Sequence, residues 1–279
     1  MIVDAHHHFW DPAAADYPWL TEELAVIRRA FTPDDLAPLL ASAGVDATVL
    51  VQTRSSLDET REFLATADAT PFIRGVVGWV DLTDPAIGDV LAGLREGVGG
   101  DRLVGIRHQV HDEPDPDWLL GDDVRRGIRA VGDAGLVYDL LVRSRELPAA
   151  LETVRALPGT RFVIDHLAKP PIRDRAIQPW ADLMRPFGAL DNVWCKVSGM
   201  VTEADWTSWQ PTDLEPYVDH VLNVFGAGRL LFGSDWPVCL LAASYQQVFD
   251  ATRAALSELS PAETAAIFGE TATGVYRLP

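Results

Sequence analysis

The sequence predicts an α/β fold, a (β/α)8 barrel that forms a single domain over residues 1-279, on three observations. First, eight short apolar, β-branched runs recur along the chain with stretches of helical length between them, an alternation typical of a parallel sheet covered by helices. Second, no Ser/Gly-rich or charged linker divides the chain, which favours one barrel over two small domains. Third, no Gly-x-Gly-x-x-Gly or Walker sequence follows the first run, which disfavours a doubly wound nucleotide-binding sheet.

The predicted strands are short, as parallel strands buried on both faces usually are. In order along the chain they are Ile2-Val3, Ala47 to Val51, Phe72 to Val80, Leu103 to Ile106, Leu136 to Val142, Arg161 to Ile164, Val193 to Val197 and Leu230 to Phe232.

Two helix starts can be placed from local chemistry. Thr32 offers an N-cap, Pro33 suits the first helical position, and acidic residues follow in the first turn. Ser260 and Glu263 form a capping-box pattern with a proline between them. Both predictions rest on the need of the first backbone N–H groups of a helix for acceptors.

The net charge of the chain limits the kinds of molecule that we expect it to bind. The formal net charge is −18, which repels phosphate backbones and anionic membrane surfaces, and no basic stripe interleaved with aromatics offsets it. We therefore expect no nucleic-acid partner and no membrane partner. A small anionic or polyhydroxylated substrate stays compatible, because a few arginines inside a pocket set the local field.

The chain shows no apolar run long enough to span a membrane and no secretory signal, so a cytoplasmic protein is expected. Its two cysteines, Cys195 and Cys239, are far apart and fit no metal spacing. We expect them to be reduced packing residues.

The candidate site begins with His6 and His8, two residues apart at the end of the first apolar run. On a strand, period-two geometry places both imidazoles on one face, where they can bind one metal ion or one anionic substrate. His166 and Asp235 also follow short apolar runs. Because the carboxyl ends of barrel strands meet at one mouth, these four side chains are expected to share a site.

Other polar or aromatic residues occupy the same position at the ends of strands, where burying them without partners would be costly. They are Gln52, Trp79, Arg107, His108, Gln109, Asp139, Lys169, Lys196 and Trp236.

Six segments carry a resemblance to a known family. They are Val-Asp-Ala-His-His-His-Phe-Trp-Asp (3 to 11), Val-Val-Gly-Trp-Val-Asp-Leu (76 to 82), Gly-Ile-Arg-His-Gln (105 to 109), Asp-His-Leu-Ala-Lys-Pro (165 to 170), Cys-Lys-Val-Ser-Gly (195 to 199) and Phe-Gly-Ser-Asp-Trp-Pro (232 to 237). In this order they resemble the amidohydrolase superfamily (amidohydrolase-related family 2), and within it the sugar-lactonase branch.

The resemblance implies a distorted TIM barrel with one divalent metal, zinc being the expected ion, or the position that such a metal would occupy, at its mouth. Some members of this branch work without a metal, so the resemblance leaves open whether the ion is required. By position the implied metal ligands are His6, His8, His166 and Asp235. Relatives with two metals carry a bridging lysine or glutamate on strand 4 and a histidine on strand 5. This chain has Arg107 or His108 and Asp139 at those places, which disfavours a binuclear centre.

The implied activity is the opening of a sugar-derived lactone, an aldonolactone similar to L-fuconolactone, to the free sugar acid. We expect Asp235 to be the general base, while His166, or the metal ion, polarises the carbonyl. Hydrogen-bonding groups and flat aromatic faces are the expected substrate contacts: Gln52, Arg107, Gln109 and Lys196 for the first task, and Trp10, Trp79 and Trp236 for the second.

Several alternatives stay open. A non-oxidative decarboxylase of an aromatic or heterocyclic acid, on the same scaffold, would also use an arginine, and a non-catalytic sugar-binding barrel would bind a lactone unchanged. Tryptophans at strand ends often only pack. The sequence leaves a homo-oligomer open and assigns no role to His108, Asp139, Lys169 or Arg28.

Overall fold

The computed structural model describes residues 1–279 and contains all eight predicted strands. They are parallel and form one sheet in sequence order: β1 (Val3–His7), β2 (Ala47–Val51), β3 (Ile73–Gly78), β4 (Leu103–His108), β5 (Val137–Leu140), β6 (Arg161–Ile164), β7 (Val193–Val197) and β8 (Leu230–Phe232).

The sheet closes between its first and last strands. The backbone N–H of Asp235 donates to His6 O at 2.8 Å, and the N–H of His8 donates to Trp236 O at 2.7 Å. The register shifts between β1 and β2, β2 and β3, and β3 and β4. The predicted (β/α)8 barrel, distorted on one side, is confirmed.

Helices lie between the strands and after β8. They are α1 (Pro33–Ala43), α2 (Leu57–Ala69), α3 (Ile87–Glu96), α4 (Asp122–Asp133), α5 (Leu147–Ala156), α6 (Trp180–Met184), α7 (Met200–Glu203), α8 (Pro211–Phe225), α9 (Tyr245–Ala255), α10 (Pro261–Ala265) and α11 (Thr271–Tyr276). Short 3-10 turns and one π-helical turn, Ala266–Glu270, lie between them. No helix is both long and apolar enough to cross a membrane.

Both predicted helix starts are confirmed. The Asp35 carboxylate accepts the backbone N–H of Thr32 at 2.9 Å, and α1 begins at Pro33. At α10, the Glu263 carboxylate accepts the N–H of Ser260 at 2.9 Å. These side chains supply acceptors that the first turn otherwise lacks.

Some strand bounds differ from those predicted. β1 and β4 run on into their polar residues, because His7 pairs with Leu50 and His108 pairs with Leu140. β3 ends at Gly78, since the N–H of Trp79 donates to Thr60 Oγ1 at 2.8 Å instead of to a neighbouring strand. β5 is also shorter than predicted at both ends.

The barrel interior is apolar in its lower half. Short aliphatic side chains from the strands pack there, among them Val3, Val49, Val137 and Val163. The C-terminal helix α11 joins the same cluster, so it closes the amino-terminal end of the barrel. Polar residues, described next, fill the upper half.

Candidate metal centre and active site

His6 and His8 meet at the mouth of the barrel, as predicted from their spacing. Their Nε2 atoms lie 3.1 Å apart, and both side chains are buried. His8 Nδ1 lies 2.7 Å from the carbonyl oxygen of Val51, which can only accept a hydrogen bond. The proton of neutral His8 is thus on Nδ1, and its Nε2 lone pair faces the site.

Asp235 and His166 complete the cluster. Asp235 Oδ1 lies 3.4 Å from Nε2 of His8, 3.9 Å from Nε2 of His6 and 3.8 Å from Nε2 of His166. Both residues have left-handed backbone conformations, with φ of 57° at Asp235 and 54° at His166. Such conformations are costly outside glycine and cluster at functional sites.

Gly199 and Ser198, at the end of β7, fit closely against His166. The Ser198 hydroxyl lies 2.8 Å from His166 Nδ1. Gly199 has φ of 62°, and a Cβ at this position would lie 2.5 Å from His166 Nδ1. Only glycine therefore satisfies both the backbone conformation and the contact with the imidazole.

A layer of buried charge lies beneath the histidines. Arg107 Nη1 donates to Asp165 Oδ2 at 3.0 Å and lies 3.2 Å from His6 Nε2. Lys196 Nζ lies 2.6 Å from Asp139 Oδ2 and 2.9 Å from Asp165 Oδ1. Two buried carboxylates and two buried cations thus offset one another, which buried charges require.

This environment shifts the pKa values of the cluster. Burial lowers the pKa of His166 to about 4 and that of His6 well below its ordinary value. Burial acts to raise the pKa of Asp235, but His166 and His8 outweigh it and hold that pKa below normal. Burial is likewise outweighed at Asp165, where Lys196 keeps the pKa well below its usual range. At neutral pH the site therefore presents neutral imidazoles at His6 and His166 and an ionised carboxylate at Asp235.

The donor set fits a divalent metal ion. Imidazole Nε2 atoms and one carboxylate oxygen converge, and the lowered pKa values of His6 and His166 leave these two imidazoles unprotonated, as ligands must be. The Nδ1 atoms of His8 and His166 have partners of their own, which orient the rings. His6, His8, His166 and Asp235 are the residues that would hold the ion.

A cavity of about 470 Å³ opens above this cluster. Its apolar lining includes Trp10, Trp19 and Leu24, and its cationic lining includes Lys169 and Arg143. Its further lining residues are His8, Thr53, Arg107, Gln109, His111, Asp112, Leu141, His166, Thr202, Glu203, Trp206, Asp235, Val238 and Leu241.

Three of the predicted substrate contacts line this cavity: Trp10, Arg107 and Gln109. Arg107 is nonetheless held from within, since its guanidinium donates to the Gln52 side-chain oxygen at 3.0 Å as well as to Asp165. Gln109 donates to Thr53 O at 3.1 Å.

The structure places the other four predicted contacts outside the lining. Gln52 lies fully buried behind Arg107, and Lys196 lies fully buried beneath His6. Trp79 donates its indole N–H to His108 at 3.0 Å, and Trp236 packs against Phe31.

The residues without an assigned role also have definite places. Lys169 lines the cavity and pairs with Glu203 at 2.6 Å. His108 lies 2.7 Å from a carboxylate oxygen of Glu113, Asp139 belongs to the buried charge layer, and Arg28 is exposed outside the cavity.

Sequence reasoning missed Asp165, Arg143, His111 and Glu203. Asp165 follows β6 directly and Arg143 follows the apolar run of β5, so their placement at strand ends was a usable signal. His111 lies in a 3-10 turn after β4 and Glu203 at the end of α7, where strand periodicity says nothing.

A barrel with three imidazoles and a carboxylate at the carboxyl ends of its strands defines the class of TIM-barrel enzymes whose site can hold a divalent metal. A family model described as Amidohydrolase matches residues 3–278. The chain therefore belongs to the amidohydrolase family.

Its relatives include two curated L-fucono-1,5-lactonases. That of Burkholderia multivorans is 41% identical, with 100% of this chain and 97% of the relative covered. That of Burkholderia ambifaria is 40% identical, with 99% and 95% covered. Among solved structures, an amidohydrolase from Burkholderia multivorans with bound zinc matches with a TM-score of 0.95 at 39% identity, and 100% of both chains is covered.

Proposed function

We propose that this protein hydrolyses a sugar-derived lactone, of the L-fucono-1,5-lactone type, to the free sugar acid. The observation that carries the proposal is Asp235, whose Oδ1 lies 3.4 to 3.9 Å from three imidazole nitrogens at the floor of an open cavity. Two full-length relatives named L-fucono-1,5-lactonase, at 40% and 41% identity, support this substrate class.

We assign to Asp235 the transfer of the proton that hydrolysis requires. The oxygen of a water molecule forms a bond to the lactone carbonyl carbon, while its proton passes to the Asp235 carboxylate. The ring C–O bond then breaks, and Asp235 returns the proton to the departing alkoxide, giving a hydroxy acid. Its pKa, held below the ordinary value by neighbouring histidines, keeps Asp235 ionised before the reaction.

A divalent ion, for which zinc is our choice, would lower the pKa of water towards ~7 and polarise the carbonyl. His6, His8, His166 and Asp235 would hold it. The zinc in the Burkholderia multivorans amidohydrolase structure supports this choice.

The lining suggests how a sugar lactone would be oriented. Gln109, His111 and Lys169 can hydrogen-bond hydroxyl groups, and Trp10 offers a flat apolar face for the C–H side of a ring. The specificity contacts proposed here are therefore Trp10, Arg107 and Gln109 from the sequence, joined by His111 and Lys169.

A panel of aldonolactones, followed with a pH indicator, tests the function. Acid release from an L-fucono-1,5-lactone, with slower turnover of lactones that differ by one hydroxyl, is the expected result. Release of carbon dioxide from an aromatic acid, with every lactone intact, would favour a decarboxylase instead. The likeness to 2,6-dihydroxybenzoate decarboxylase, at 16% identity and a TM-score of 0.67, shows the fold alone.

A further inference from the structure

A chain of buried polar groups runs from the C-terminal helix to the histidine cluster. It begins at Tyr276 on α11, whose hydroxyl donates to the Asp139 carboxylate, 2.9 Å from Oδ1 and 2.8 Å from Oδ2. Lys196 Nζ donates to Asp139 Oδ2 at 2.6 Å. The same ammonium lies 2.9 Å from Asp165 Oδ1, and that oxygen lies 3.3 Å from His6 Nδ1.

Every member of this chain is shielded from water. Asp139, Lys196 and Asp165 have no exposed surface, and Tyr276 is 3% exposed. Interactions between charges are strong in such surroundings, and an unpaired charge is costly. Each member therefore constrains the next more tightly than the same contacts would at the surface.

Lys196 separates two carboxylates that would otherwise repel each other. Asp139 is raised in pKa to about 6, chiefly because it is buried, and the neighbouring Asp165 raises it further while Lys196 lowers it. The ammonium keeps both acids ionised at close range. Asp165 can then accept from Arg107 on one oxygen and face His6 with the other.

The contact between His6 Nδ1 and Asp165 determines which nitrogen of His6 carries the proton and which is free for the metal. Lys196 also lies 3.2 Å from His6 Nδ1, but its ammonium has two carboxylate acceptors closer than that. A proton on His6 Nδ1, the nitrogen 3.3 Å from Asp165 Oδ1, leaves a lone pair on His6 Nε2, which lies 3.1 Å from His8 Nε2 and 3.2 Å from Arg107 Nη1. Carboxylates that contact the second nitrogen of a ligating histidine commonly set its tautomer and raise its basicity.

We propose that Tyr276 is a positioning residue for the metal site: its hydroxyl orients Asp139, Asp139 holds Lys196, and Lys196 holds Asp165 against His6. This inference rests on the proposed role of His6 as a metal ligand. We call the four residues Tyr276, Asp139, Lys196 and Asp165 the relay. Through the relay, helix α11 at the closed end of the barrel would position the metal ligand His6 at the open end.

Tyr276→Phe removes the hydroxyl and retains the ring that packs in the interior cluster. The matched control is Tyr217→Phe, which also removes a buried tyrosine's hydroxyl, one that lies 3.4 Å from Pro171 O and contacts nothing in the relay. Both variants are compared with the wild type by zinc competition against a chromophoric chelator and by thermal unfolding.

We expect Tyr276→Phe to bind zinc roughly tenfold more weakly, the lower end of the effect of changes around metal ligands. Tyr217→Phe should bind zinc as the wild type does, even if its unfolding temperature falls by a similar amount. Equal zinc affinity in Tyr276→Phe and Tyr217→Phe would overturn the proposal.

A double-variant cycle tests the order of the relay. In a Lys196→Met background, which breaks the relay, adding Tyr276→Phe should weaken zinc binding no further. Independent, additive losses would contradict action through Lys196. If Lys196→Met does not fold, the comparison of zinc affinity between Tyr276→Phe and Tyr217→Phe tests the proposal by itself.

These outcomes are distinct from failure of the proposed function. A wild-type protein that binds zinc but leaves every lactone intact would contradict lactone hydrolysis and still permit the zinc comparison. A wild-type protein that binds no zinc would contradict the metal centre on which the relay acts.

Discussion

Asp235 has its partners because the chain turns sharply after β8 and β6. The left-handed conformations of Asp235 and His166 aim both side chains at the point where β1 delivers its histidines. The predicted function depends on this carboxylate more than on any other single group.

Replacing Asp235 by Asn should lower kcat by roughly 10²- to 10⁴-fold, the range of general acid and base catalysis. The amide keeps the size of the side chain but cannot take a proton from water. Steady-state kinetics with an aldonolactone measures the change, and metal content is determined on the same sample. Asp58→Asn, at an exposed position, is the control. Near-normal turnover in Asp235→Asn with full metal content would remove Asp235 from this role.

Gly199→Ala should damage both stability and activity. Adding a Cβ at positive φ costs about 1–2 kcal/mol, and here the new atom would also press on His166. Gly44→Ala is a matched control, because Gly44 also has positive φ, 70°, but open space around it. Chemical unfolding should show a loss in both variants, while lactone turnover should fall only in Gly199→Ala. Equal turnover in the two variants would show that the contact with His166 is unimportant.

For single residues, the sequence predicted which side chains form the site better than it predicted how far each lies from the mouth of the barrel. His6, His8, His166 and Asp235 were predictable because each ends an apolar run. Lys196 was expected at the substrate, yet it lies beneath His6, since strand alternation tells which face a residue occupies but not how far it lies from the mouth.

The elements of the barrel begin and end where local chemistry dictates. Capping boxes start α1 and α10; the sequence predicted the start of α1 from an N-cap threonine and the start of α10 from its capping box. The sequence did not predict the end of β3, because that end depends on a hydrogen bond from the Trp79 backbone to Thr60, which belongs to helix α2. Closure of the barrel by α11 was equally hidden, since short apolar helices look alike wherever they pack.

Ser260→Ala should lower the free energy of unfolding by about 1 kcal/mol, through loss of the N-cap of α10. Ser260 accepts the N–H of Glu263 at 3.3 Å and lies outside the cavity. Lactone kinetics should therefore stay unchanged. Ser257→Ala, at an exposed serine before the cap, is the control and should leave stability unaltered. A kinetic defect in Ser260→Ala would indicate that α10 is linked to the site.

The whole molecule joins segments that are far apart in the chain. Residues near positions 6, 107, 166, 196 and 235 meet because the strands close in sequence order, which brings β8 against β1. The order of strands and the family resemblance predicted this convergence. The interior division into an apolar lower half and a charged upper half emerged only from the three-dimensional packing.

The balance of charge also differs between the whole molecule and the cavity. The formal net charge of the chain is −18, whereas the cavity lining has three cations, Arg107, Lys169 and Arg143, and three carboxylates, those of Asp112, Glu203 and Asp235. A substrate would thus meet a local field unlike that of the bulk surface.

The most direct test of a single metal at the meeting point of four side chains is a titration of activity with zinc. The protein is first stripped with a chelator, and aldonolactone hydrolysis is then followed as zinc is added back. We predict that turnover is lost on stripping and returns fully at one equivalent of zinc per chain. Unchanged turnover in the metal-free protein, or recovery only at two equivalents, would contradict the account.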